Sequence, residues 1–245
     1  MRVKLVVAYD GTDYCGWQVQ PNGITVEEVL NRELSRLFKE EITVTGASRT
    51  DSGVHSLGNV AVFDTDTRMP AEKISYALNQ RLPEDIVVQD SCEVPADFHP
   101  RFAASRKTYE YRIHDRTFPM PTLRRDTLFY CHPLDEERMR RGAAFLVGTH
   151  DFTSFSSVKA QTNTFVRTVH ELTVERTEDD IIHIRITGNG FLYNMVRIIA
   201  GTLLQVGAGK LEPEDVGRIL AAKDRGAAGP TAPAHGLTMI GITYL

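Results

Sequence analysis

The sequence is short of cysteine, tryptophan and long apolar runs. Among 245 residues stand three cysteines (Cys15, Cys92, Cys131) and one tryptophan, Trp17. An odd, widely spaced set of thiols excludes a disulfide framework and a zinc site, and suits a reducing cytosol. A membrane-spanning helix needs about 20 apolar residues in a row. The nearest window, residues 191–208, is broken by Asn194 and Arg197. The N-terminus runs from Met-Arg-Val-Lys-Leu straight into alternating apolar residues, without the pattern of a signal peptide.

Net charge is also scarce. Lys and Arg number 28 against 32 Asp and Glu, leaving −4. A weakly acidic whole argues, at first sight, against a nucleic-acid partner. The distribution is uneven, however. Residues 1–105 hold 10 basic and 16 acidic side chains, and residues 106–245 hold 18 and 16. Between 101 and 125 stand Arg101, Arg106, Lys107, Arg112, Arg116, Arg124 and Arg125, with only Glu110 and Asp115 as acids. Such runs are usually solvated surface. The alternative is a phosphate-binding track, which needs a local positive field and not a basic whole.

Familiar nucleotide and hydrolase signatures are missing. Gly209-Lys210 would end a phosphate loop, but Leu204 stands where its first Gly belongs and Leu211 replaces the Ser/Thr. Gly188-Asn189-Gly190 has Tyr193 at the third glycine of a dinucleotide fingerprint. No serine is flanked by glycines at elbow spacing, and no histidine pair has metal-helix spacing.

Hydropathy patterning predicts strands over 3–9, 42–47, 58–64 and 86–94, and helices opened by Thr25 and Pro70. That order, β-α-β-β-α-β, is ferredoxin-like. The second half repeats it loosely, with strands over 107–113, 166–176, 181–187 and 239–244 and helices over 135–147, 192–206 and 212–222. The expected class is α+β: two fused ferredoxin-like halves with mixed, largely antiparallel sheets, divided as 1–105 and 106–245.

Three segments stand out: YDGTDYCGWQ (9–18), SRTDSGVHS (48–56) and GFLYNMVR (190–197). Asp51 reads either as a turn-closing residue before Ser52-Gly53 or as a reactive carboxylate. Arg197 reads either as a snorkelling cation or as half of an ion pair on an apolar helix. Tyr109 is an ordinary strand tyrosine on pattern alone, Trp17 packs a core or loop, and His55 stabilises a turn.

Together with the FHPRF…RKTYEYRI segment, GFLYNMVRIIAGTL and the closing APAHGLTMIGI, these motifs resemble the tRNA pseudouridine synthase A family over nearly the whole chain. Ser48 and Ser56 depart from that family's usual GRTDxGVHA. The resemblance implies a pseudouridine synthase fold and isomerisation of uridine to pseudouridine at positions 38, 39 and 40 of the tRNA anticodon stem and loop. It implies no metal and no organic cofactor, a cytoplasmic homodimer holding tRNA, and no membrane association. Asp51 matches the family's catalytic aspartate, Arg197 its ion-pair partner, and Tyr109 the tyrosine that stacks on the base. Arg49 is expected to fill the place of the extruded base or to grip a phosphate. Arg101, Lys107, Arg124 and Arg125 are expected phosphate contacts, and Leu237 and Met239 apolar packing under the base. Two rivals remain open: a non-catalytic RNA-binding protein, which gives Asp51 no role, and a carboxylate-dependent hydrolase, which ordinarily needs a second carboxylate.

Overall fold

The computed structural model describes every residue from Met1 to Leu245 and divides into two compact units: Met1–Ser105 with Met239–Leu245, and Arg106–Thr238. The first contains β1 (Arg2–Tyr9), α1 (Val26–Phe38), β2 (Thr45–Gly46), β3 (His55–Asp64), α2 (Ala71–Asn79) and β4 (Ile86–Val94). Strict alternation along β1 sends Val3, Leu5, Val7 and Tyr9 inward. They meet Val26, Val29, Leu30 and Leu34 of α1 and Ile74 and Leu78 of α2 in one core. β1 lies between β3 and β4, antiparallel to both, and β2 pairs antiparallel with β3. This is the expected ferredoxin-like arrangement. The side chain of Thr25 caps α1 by accepting the Glu28 N–H.

β2 is far shorter than the apolar run 42–47 suggests. The Ile42 N–H goes to Ser35 Oγ (2.9 Å) and the Val44 N–H to Asn31 Oδ1 (2.8 Å). Polar side chains of α1 thus take the donors that a longer ladder would use.

The second unit contains β5 (Ser105–Asp115, from its second residue onward), β6 (Leu128–Tyr130), α3 (Glu136–Ala144), β7 (Gly148–Asp151), β8 (Val166–Arg176), β9 (Ile181–Gly188), α4 (Met195–Gly207) and α5 (Pro213–Ala222). Its strands run in the order β5-β9-β8-β7, antiparallel throughout, and β6 adds to β5 in parallel. The sheet content is therefore mixed but largely antiparallel. β10 (Leu237–Tyr244) follows, next to β3 in the first unit from Met239 on. α4 starts three residues later than the apolar pattern suggests, because Asn194 takes the left-handed conformation (φ 62°). No helix is long and apolar enough to cross a membrane.

Candidate active site

Asp51 begins a tight turn closed by the backbone, the Val54 N–H donating to the Asp51 carbonyl at 3.1 Å, with Gly53 at φ 78°. Segment 9–17 grips the loop from outside, a role that patterning alone did not suggest. The Trp17 N–H donates to the Thr50 carbonyl (3.1 Å), and the Gly53 N–H (3.3 Å) and Ser52 Oγ (3.2 Å) donate to the Tyr14 carbonyl. The Tyr9 hydroxyl meets Thr50 Oγ1 at 2.8 Å in a buried contact.

Two glycines let these backbones come so close. A Cβ at Gly11 would overlap the Val54 carbonyl oxygen, and Gly16 sits at φ 84° against Thr50. Trp17 is buried, as expected of a packing residue, and stacks obliquely on Tyr9. His55 is buried too. Its Nδ1 accepts the Gly11 N–H (3.1 Å) and lies 3.1 Å from Asp10 Oδ1, in keeping with a turn-stabilising histidine. Asp51 itself is half-buried, and Arg49, two residues earlier, is exposed. Arg101, in the same unit, donates from Nη2 to the Gly46 carbonyl (3.2 Å).

The second unit carries the other expected residues. Arg197 stands in the first turn of α4, half-buried. Its guanidinium donates from Nε to the Ala232 carbonyl (2.8 Å) and from Nη1 to Asn194 Oδ1 (3.0 Å). The Ala232 N–H returns a bond to the Arg197 carbonyl (3.1 Å), so the 229–232 loop and α4 fix this cation between them. The left-handed Asn194 that delays α4 is thus also the residue that orients Arg197.

Tyr109 shares the buried face of β5 with Tyr111 and Ile113. It is 7% exposed, with its ring edge-on to Phe191 at 5.2 Å. Burial pushes the neighbouring Tyr111 phenol well above its usual range, the charge of Arg197 opposing the shift, and its hydroxyl donates to the Pro233 carbonyl (2.9 Å). Leu237 and Met239 are buried.

The basic stretch is less free than its composition suggests. Arg112 pairs with Asp126 and Arg116 with Asp180. One of these acids lies just past the stretch and the other far along the chain, so a local charge count misses both. Arg124 is exposed and donates to the Pro121 carbonyl (3.0 Å); Arg125 is exposed and Lys107 half-buried. No cluster of three or more His, Cys, Asp or Glu is arranged to hold a metal ion.

A family model described as tRNA pseudouridine synthase matches residues 5–103 and 143–244. Those ranges contain Arg49, Asp51, Arg101 and Arg197, whereas Lys107, Tyr109, Arg124 and Arg125 lie between them. The tRNA pseudouridine synthase A of Thermoanaerobacter sp. (strain X514) is 50% identical over 242 residues, 99% of each chain. That of Acetivibrio thermocellus is 47% identical over 99% of each chain. That of Bacillus subtilis is 46% identical over 246 residues, all of this chain and 99% of its own. With likeness at this level running from end to end, the chain belongs to the tRNA pseudouridine synthase family.

Proposed function

We propose that this chain isomerises uridine to pseudouridine in the anticodon stem and loop of tRNA, at positions 38, 39 and 40, without a cofactor. The N1–C1′ bond breaks, the uracil turns while held, and C5 bonds to C1′. The C5 proton leaves and N1 gains one, so the balance needs no redox partner or phosphate donor.

The observation that carries the reading is the placement of Asp51. Its carboxylate belongs to a turn locked from outside by Tyr14, Trp17 and Tyr9, inside a range that matches the family. A rigid mount of this kind suits a group that acts at one sugar atom, as nucleophile on C1′ or as base on the ribose. Arg197 serves as its counter-ion and keeps it ionised. Tyr109 takes the face of the uracil, a stack worth about 1–3 kcal/mol. Extruding the base costs a few kcal/mol, and less in a loop than in a duplex. Arg49 occupies the space the base leaves or holds a phosphate. Arg101, Lys107, Arg124 and Arg125 contact the backbone, in a cytoplasmic homodimer that grips tRNA from both copies.

The test is to incubate the chain with an anticodon stem-loop RNA carrying 5-tritiated uridine. Tritium should pass to solvent while the nucleoside stays in the RNA as pseudouridine. Free uracil would instead identify a hydrolase, and retention of all tritium would identify a binding protein.

A further inference from the structure

The turn at 98–102 is anchored on one side and open on the other. Its anchored side is Phe98, edge-on to Tyr244 at 5.0 Å, and Pro100, whose carbonyl accepts the Tyr244 hydroxyl (2.9 Å). Arg2 adds a bond to the Phe98 carbonyl (3.1 Å). On the open side the Arg101 N–H donates to His99 Nδ1 (3.2 Å) and fixes that ring. The ring stacks on Phe102 with centroids 4.2 Å apart and planes 28° apart. Phe102 is nevertheless 78% exposed: one face lies on His99 and the other meets solvent.

The charge beside this platform is unbalanced. Neither Arg101 nor Arg49 forms a salt bridge. Arg101 donates to the Gly46 carbonyl (3.2 Å), three residues before Arg49, and burial, then the like charge of Arg49, hold its guanidinium below its ordinary basicity. The acid whose charge reaches Arg101 is Glu27, and its Oε2 already accepts the Val19 N–H (2.9 Å). An exposed aromatic face next to two unneutralised guanidiniums is the combination that binds single-stranded nucleic acid: the ring takes a base and the cations take the phosphate.

We infer that the 98–102 turn is a site for one unpaired nucleotide of the RNA, its base stacked on Phe102 and its phosphate held by Arg101 together with Arg49. This inference rests on RNA being the substrate. It adds a second aromatic platform, carried by the first unit seven residues before Tyr109, for a nucleotide other than the one that reacts.

The test is fluorescence-anisotropy titration of a labelled anticodon stem-loop RNA, with pseudouridine formation measured on the same samples. Phe102→Ala should raise Kd and KM about 5- to 150-fold, the range that removal of a base stack spans. The chemical step at saturating RNA should be spared, and Phe102→Trp should restore affinity. Arg101→Gln should weaken binding and lower the slope of log K against log salt by about one. Phe102 buries little, so its truncation leaves the fold intact. Tyr76→Ala, which removes another exposed aromatic of the same unit (69% exposed), should change nothing. Wild-type affinity in both Phe102→Ala and Arg101→Gln, with wild-type turnover intact, overturns the site alone. Loss of affinity in Phe102→Ala from a wild type that makes no pseudouridine supports the site and overturns the proposed reaction.

Discussion

A methyl group added at Gly16 would stand 2.5 Å from the Thr50 carbonyl oxygen, on a backbone already at φ 84°. Either problem alone strains an L-residue, and together they press on the peptide that precedes Asp51. Gly16→Ala is therefore expected to lower stability by about 1–3 kcal/mol, measured by urea unfolding. It should lower turnover further than that loss explains, because Asp51 moves with Thr50. Turnover unchanged at matched folded fraction would show that the 9–17 segment does not position the loop. The clamp was invisible in the sequence for a physical reason. Most of it is bonding to the main-chain carbonyls of Thr50 and Tyr14, which carry no residue signature, with the hydroxyls of Ser52 and Tyr9 added. Asp51, Tyr109 and Arg197 are singled out by the motifs around them. The ring that packs edge-to-face with Tyr109 and the amide that orients Arg197 are not, although both stand inside GFLYNMVR.

The long elements announce themselves by period and the short ones do not. β1 alternates over its eight residues and β9 over residues 182–188, and α1 shows its stripe and cap. β6 and β7, three and four residues long, exist only through their partners β5 and β8. Where β5 and β8 end, Arg176 joins Asp115 (2.5 Å), Glu136 at the start of α3 (2.5 Å) and the Leu134 carbonyl (3.2 Å). The Asp115 side chain is 2% exposed, so Arg176→Leu would leave it buried without its cation. That change should destabilise the second unit by about 3–5 kcal/mol, seen as an earlier denaturant midpoint. A loss within error would mean that water replaces the arginine.

Between β5 and β9, a hydrogen bond with His183, helped by the charges of His183, Arg185 and Arg112, holds the Glu110 carboxyl below its ordinary 4.5. A carboxyl depressed in the folded state stabilises it above the unfolded value, and that contribution disappears as pH falls through the folded value. Stability should therefore drop as the pH goes below about 4.5, and Glu110→Gln should flatten that part of the profile. An unchanged acid limb in the variant would remove Glu110 as its source.

For the whole molecule, the net charge of −4 proved the wrong scale for judging an RNA partner. So, in part, did the local count, since Arg112 and Arg116 are taken by Asp126 and Asp180. What matters is where each cation sits and what it already binds, and that depends on pairings distant in sequence. Of the basic stretch, Arg124 and Arg125 remain at the surface. Reversing both to Glu should weaken tRNA binding and reduce its salt slope by about one for each phosphate no longer neutralised. An unaltered slope would exclude them from the track.

The central claim, that one clamped carboxylate performs the isomerisation, is tested most directly with Asp51→Ala and an anticodon stem-loop RNA bearing 5-tritiated uridine. RNA binding should persist while tritium release falls by at least about 10²- to 10⁴-fold, the usual weight of a positioned catalytic group. Release at the wild-type rate from that variant would contradict the account.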